Sequence, residues 1–339
     1  MSELPAIERF VSSTGQRIYR IPCEAFPKFI AYVYLVFDAG PLTLIDTGSG
    51  YGDSNSQVLA GLEAVRTDFG EPVGIADIRR ILITHGHIDH FGGLAHLLEL
   101  TGATVGIHIL DRWVLTAYEE RVVVATKGLR TYLQRAGVDP EYEQGLMEMY
   151  GFSKKHVRSV RVDLNLIDEQ TLDGMRFIHT PGHCPGQVCI AIGDVLISAD
   201  HILSSITPHQ APESITAYTG LGHYLEALEK VRRMPGFDIA LGGHEQPIPD
   251  VYKRIDEIRL SHERKLGRVT DIVAAASDPV TINDITNTMY PRVVGFNTLL
   301  ALEEVGAHVE YLYQRGQLRV SNLDEVEAQD SPALRYRVA

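Results

Sequence analysis

Residues 84–93 read Thr-His-Gly-His-Ile-Asp-His-Phe-Gly-Gly. His85, His87, Asp89 and His90 bring three imidazoles and a carboxylate into one short stretch, which packing does not explain. Imidazole nitrogen suits zinc and neighbouring divalent ions, and a carboxylate adds charge neutralisation. Gly86 and the pair Gly92-Gly93 would let the backbone bend so that nearby side chains converge. Metal-assisted chemistry is the reading that uses all four polar residues.

The segment resembles the H-x-H-x-D-H signature of the metallo-β-lactamase fold superfamily, and the other motifs of that superfamily follow in order. Leu44-Ile45-Asp46-Thr47-Gly48 is similar to its early strand-end motif, and Thr180-Pro181-Gly182-His183 to the next. Ile197-Ser198-Ala199-Asp200 is similar to the strand ending in a shared carboxylate, and Leu241-Gly242-Gly243-His244 to the last motif. The resemblance implies an α/β fold, a four-layer αββα sandwich, over about residues 15–250. It implies two divalent metal ions, zinc first, with iron or manganese accepted by the same ligands. His85, His87 and His183 would hold one ion, Asp89, His90 and His244 the other, and Asp200 would bridge them. Asp46 would support the ligands from behind, as would His201, and Asp89 would also serve catalysis. Asp200 stands where one class of true β-lactamases has Cys, and His87 where the diiron oxygen reductases of the fold have an acid. The pattern is nearest to the glyoxalase II, lactonase and ribonuclease Z style of site. The implied activity is hydrolysis of a small ester, thioester or lactone by a metal-bridging hydroxide. A nuclease acting on RNA phosphodiesters is the alternative.

The elements needed to position these residues are readable. Apolar runs at 81–83, 176–178, 195–197 and 239–241 precede the proposed ligands, so strand ends would gather them at one rim. Strands are expected at 17–21, 31–37, 42–45, 80–84, 104–108, 175–179, 187–192, 195–198 and 237–241, with helices at 54–69, 92–100 and 218–233. Residues 111–163 have helical periodicity and read as an insertion that selects substrate. Trp113, Tyr118, Met147 and Met149 from it, with Tyr218 and Tyr224, are the expected pocket lining. After the catalytic domain at 1–250, residues 251–325 read as a linking helix and a unit resembling a winged helix. The expected elements there are helices at 251–266, 269–276, 281–290 and 297–315 and a strand at 317–320. Residues 326–339 read as a frayed tail.

Composition narrows the partners. The 339 residues carry a formal charge of −13, and 45% are hydrophobic, which excludes a disordered chain. Three cysteines, Cys23, Cys184 and Cys189, cannot form a disulfide framework and suit a reducing compartment. No apolar run approaches the roughly 20 residues of a membrane span, and the N-terminal stretch does not read as a signal peptide; a cytoplasmic address is the expectation. The stretch 297–313 contains Glu303, Glu304 and Glu310 but no Lys or Arg. A recognition helix needs cations toward phosphates, so nucleic acid is disfavoured as a partner, and a structural or homodimerising role is expected for this unit.

Overall fold

The computed structural model describes residues 4–152 and 156–339. Residues 153–155, inside the expected insertion, lie outside the described residues. The chain forms two compact units. The first holds the described residues up to Arg121 with His156–Pro208 and Ala227–Ile255, and the second those from Val122 with His209–Glu226 and Asp256–Ala339.

The first unit is built on two sheets. One runs β1 (Glu8–Val11), β2 (Arg17–Phe26), β3 (Phe29–Phe37), β4 (Thr43–Ile45), β5 (Arg80–Leu82), β6 (Thr104–His108) and β7 (Leu164–Leu166) in spatial order. Strands β1 to β4 pair antiparallel, while β4 to β7 pair in parallel. The second sheet has the order β12 (Ile239–Gly242), β11 (Val195–Ala199), β10 (Val188–Ile192), β9 (Met175–His179), β8 (Thr171–Leu172). Alternation along β3 explains how the sheets meet: Tyr32, Tyr34 and Val36 join Ile18, Ile45 and Leu82 against Phe177, Val188, Ile190, Ile197 and Leu241. Val33 and Leu35 on the other face of β3 are equally buried. Helix α1 (Ser54–Asp68) covers β2 so closely that a Cβ on Gly61 would stand 2.2 Å from Ile21. Sheets packed face to face and flanked by helices are the expected α/β sandwich. Helices α2 (Ile88–Phe91), α3 (Leu94–Thr101) and α4 (Arg112–Thr116) complete the part that carries the histidine motif.

The second unit draws residues from both sides of the expected boundary at residue 250. Its helices come from α5 (Tyr118–Arg135), α6 (Pro140–Phe152), α7 (Leu221–Arg232), α8 (Val251–Ala275), α9 (Ile282–Met289) and α10 (Phe296–Gln314). Leu133 of α5, Met147 of α6, Val269 of α8, Ile285 of α9 and Leu302 of α10 belong to one apolar core. The stretch read as an insertion and the stretch read as a separate C-terminal domain therefore bury one another's faces. Two helices such as α5 and α6 cannot bury their apolar side chains alone. The tail is also ordered: β14 (Tyr336–Val338) pairs antiparallel with β13 (Leu318–Val320), α11 (Leu323–Ala328) lies between them in sequence, and Tyr336 is buried in the same core. Helix α9 starts as its sequence suggests, with Thr281 and Asp284 forming a reciprocal capping box.

The two helices expected at 251–266 and 269–276 are the single α8. Gly267, which separates them in sequence, is exposed and would meet nothing within 4 Å as alanine. Gly267→Ala is expected to stabilise the protein by about 0.5–1 kcal/mol in urea denaturation, because glycine in a helix interior costs roughly that much.

Candidate metal centre

All seven residues of the expected ligand set come together in the first unit. His85 and His87 follow β5, with Asp89 and His90 on the short α2. His183 lies in the turn after β9, Asp200 directly after β11 and His244 just past β12. Strands β9, β11 and β12 run in the same direction, so their C-terminal ends deliver three donors to one edge. A hydrogen bond from Val188 N to Thr84 O (2.9 Å) ties β10 to the end of β5. Tyr34 Oη and Tyr32 N donate to the Gly242 and Gly243 carbonyls at 2.5 and 2.9 Å, which anchors the loop before His244 to β3.

The donors form two sets, His85–His87–His183 and Asp89–His90–Asp200–His244, with ligand atoms within 4.8 Å of one another in each. His85 Nε2 stands 3.2 Å from His87 Nδ1, and His244 Nε2 stands 3.2 Å from Asp89 Oδ2. Asp200 lies between the sets: Oδ2 is 3.3 Å from His244 Nε2 and 3.6 Å from His183 Nε2, and Oδ1 is 3.4 Å from His90 Nε2. Ligand–zinc distances of about 2.0–2.2 Å give tetrahedral edges of roughly 3.3–3.6 Å. The donors therefore have the spacing of ligands around shared centres. His90 Nε2, His244 Nε2 and Asp200 Oδ1 are buried and make no hydrogen bond, so the donor set fits divalent cations.

For three of the five rings a bond on the far side fixes which nitrogen faces the set. Asp46 accepts from His90 Nδ1 at 2.8 Å, and the Ile30 carbonyl accepts from His244 Nδ1 at 2.7 Å. Thr84 donates its hydroxyl to Asp46 (2.8 Å), leaving its oxygen to accept from His85 Nδ1 at 3.1 Å. Each bond places the proton on Nδ1 and turns Nε2 inward. Asp46 is itself held by Thr84 N at 2.8 Å and lies where expected, behind His90. His201 is fully buried beside Asp200 in sequence, and burial lowers its pKa to about 3.

Electrostatics divide the sets. Burial and the neighbouring His183 lower His87 to about 3, and burial with His90 and His87 lowers His85. Burial also works against charge on His244, yet Asp200 and Asp89 outweigh it and raise it to about 10. His90 is raised in the same way by Asp200, Asp46 and Asp89. The carboxylates thus draw positive charge into their own set. Three residues at the edge hold left-handed backbone despite a Cβ: Asp46 (φ 60), Ala199 (φ 44) and Glu245 (φ 61). Such conformations cluster where a site dictates them.

The expected pocket residues fall in both units. Trp113 is 54% exposed on α4, and Tyr118 is buried with its ring 5.9 Å from that of Phe91. The other four belong to the second unit: Met147 is a core residue, Tyr224 is fully buried against His262, and Met149 and Tyr218 are exposed. Helical periodicity in the sequence cannot separate an apolar side chain that faces a core from one that faces a pocket. Sequence reasoning missed Phe29, at the tip of the β2–β3 hairpin, whose half-exposed ring lies 4.3 Å from the His244 ring. An aromatic at a hairpin tip was the only signal. Cys184 is buried, and burial pushes its thiol well up; cysteines in such surroundings are ordinarily inert.

A third histidine group, His262, His308 and Glu304, lies in the second unit. His308 Nδ1 donates to the Glu304 carbonyl at 2.6 Å, and His262 Nδ1 stands 3.1 Å from His308 Nε2. Lys265 pairs with the Glu304 carboxylate at 2.7 Å, which balances its charge and makes the group a structural network. Burial lowers His262 to about 3 and lowers His308 as well. Their stabilisation is therefore complete above about pH 6.5 and is lost as pH falls from there toward the folded values. Glu304 is held at about 2 against burial by His308 and Lys265, so its share is lost only below about pH 4.5. His209, raised by Glu303 despite burial, has the opposite sign, but its stabilisation is already present below pH 6.5 and changes little over this window. The loss expected from His262 alone between pH 6.5 and 5.0 is about 2 kcal/mol, at roughly 1.4 kcal/mol per pH unit. Urea midpoints at both pH values check this: His262→Asn should flatten the profile, and equal profiles would refute it.

The family model for the metallo-beta-lactamase superfamily matches residues 27–244. The protein named "Probable metallo-hydrolase YqjP" from Bacillus subtilis is 22% identical over 293 residues, covering 83% of this chain and 86% of that one. The "Beta-lactamase-like protein 2 homolog" of Drosophila melanogaster is 26% identical over 336 residues, covering 96% and 97%. Among solved structures, the metallo-beta-lactamase family protein TTHA1429 from Thermus thermophilus superimposes with a TM-score of 0.75 at 24% identity over 95% of this chain and 98% of that one. The matched span begins before Phe29 and ends on His244, so it encloses every donor of the two sets, and the chain belongs to the metallo-beta-lactamase superfamily of metal-dependent hydrolases.

Proposed function

We propose that the first unit is a dinuclear hydrolase of small carboxylic esters, thioesters or lactones, with zinc as the expected metal. The observation that carries this is the place of Asp200, whose Oδ2 lies between His183 of one donor set and His244 of the other. Divalent ions bound there lower the pKa of water toward neutrality and polarise a carbonyl oxygen. The chain's own residues supply the rest. Asp46, Thr84 and the Ile30 carbonyl hold the rings of His90, His85 and His244 in one tautomer and orientation. Asp89, only partly buried, is assigned to orienting the attacking water. Phe29 offers an apolar face beside His244 to the acyl part of a substrate. With Cys184 buried, hydrolysis is direct, with no acyl-enzyme on that thiol.

The test is metal analysis followed by turnover of zinc-, iron- and manganese-loaded protein on a thioester, a lactone, a simple ester and a single-stranded RNA. Chelator-sensitive turnover of a carbonyl substrate without a burst of acyl-enzyme is expected. Turnover of RNA alone would replace this reading with the nuclease.

A further inference from the structure

We propose that Asp111 is a positioning residue for the triple-histidine half of the centre, tying the loop that carries His85 and His87 to the loop that carries His183. The inference rests on the metal reading of that cluster. Asp111 follows β6 and precedes α4, a place where an aspartate ordinarily caps the helix. Its side chain makes no capping bond. It is 1% exposed, and its two oxygens reach in two directions. Oδ2 accepts from Gly86 N at 2.8 Å, and Oδ1 accepts from Gly186 N at 2.8 Å.

Gly86 sits between His85 and His87, and Gly186 lies three residues after His183. The two loops leave different sheets, one after β5 and the other between β9 and β10. One buried carboxylate therefore joins the two sheets at the level of three ligands. Both glycines admit it: a Cβ on Gly186 would stand 2.7 Å from Asp111 Cγ, and one on Gly86 3.3 Å from it. The ring contacts of the triad depend on this spacing, with centroids 4.5 Å apart for His87–His183 and 5.2 Å for His85–His183. Partners behind metal ligands ordinarily change metal affinity by about 10–100-fold. Here the partner acts on the loop backbone instead of on a ring nitrogen.

Asparagine has one acceptor oxygen, so Asp111→Asn keeps the shape while one loop N–H faces an amide N–H. Metal-free wild type, Asp111→Asn, Asp111→Ala and the control Asp163→Asn are titrated with Co²⁺ against a competing chelator, following visible absorption. Asp163 accepts from Val105 N at 3.0 Å in the same unit, away from both ligand loops. Both Asp111 variants are expected to weaken one binding step about 10–100-fold with an altered spectrum for that step, leaving the other step and the control as in wild type. Unchanged affinity and spectrum in Asp111→Asn overturn the proposal. A wild type that binds no Co²⁺ overturns the metal reading itself, and this inference with it. If the variants do not fold, amide exchange in the wild type decides. The Gly86 and Gly186 N–H groups should exchange only on global opening, and exchange at ordinary loop rates overturns the clamp.

Discussion

Asp200→Ala is expected to reduce bound metal from about two ions per chain toward one or none, and to lower hydrolysis by about 10³-fold or more. The reason is the number of partners that one carboxylate serves. Its oxygens stand 3.3–3.6 Å from the inward nitrogens of His90, His183 and His244, so alanine removes a donor from both sets. Asp200 also supplies attraction that raises His244 and His90 against burial. Asp200→Asn separates charge from shape: it should retain more metal than alanine and still lose most activity, because a neutral amide is a poor metal ligand. Mass spectrometry of the native protein and turnover on the best carbonyl substrate provide the measurement. Two tightly held ions and full activity in Asp200→Ala would remove the shared-carboxylate assignment.

The donors were legible because each is a reactive residue type following an apolar run, and four of them fall within residues 85–90. What holds those donors was less so. Asp46 could be named from its motif, but the partner of His244 is the carbonyl of Ile30, 214 positions away. A backbone oxygen has no residue type to betray it. The Asp111 bonds to Gly86 and Gly186 were missed for a related reason: their donors are main-chain amides, and Asp111 looked like the start of a helix.

The second unit shows the other limit. Periodicity located α9 and α10 within a residue or two, but an apolar stripe states only that something covers it. Tyr132 of α5 donates to the Leu302 carbonyl of α10 at 2.5 Å, across 170 positions, and no pattern in either segment points to the other. The tail escaped for a simpler reason. Tyr336–Val338 is three residues long, too short for alternation to register, and it is a strand only because β13 and the bridge from Tyr336 to Val280 pair with it.

The paired glycines of the histidine motif serve a purpose other than the expected bend, and that purpose leads to a large expected effect. Gly92 and Gly93 do not bend the chain, since both hold ordinary helical backbone (φ −62 and −79) that any residue adopts. They are required because the loop after β4 lies directly on them. A Cβ on Gly92 would stand 1.9 Å from the Ser49 carbonyl oxygen, and one on Gly93 2.3 Å from that of Thr47. Both obstacles are backbone, and that backbone is pinned: Thr47 N and Thr47 Oγ1 donate to the His90 carbonyl at 2.7 and 2.9 Å, and Gly93 N donates to Gly48 O at 3.1 Å. Gly92→Ala must push this loop off α2, displacing Asp46 from His90. The expected cost is about 3 kcal/mol or more, at the upper end for overpacking because no flexible side chain can yield, together with loss of metal from the Asp89–His90–Asp200–His244 set. Gly267→Ala, the same substitution in open space, should move stability the other way. Urea denaturation and metal content of the two variants side by side test the argument. A Gly92→Ala protein as stable and as metal-loaded as wild type would show that the loop can yield, and that the glycine is not there for the close approach.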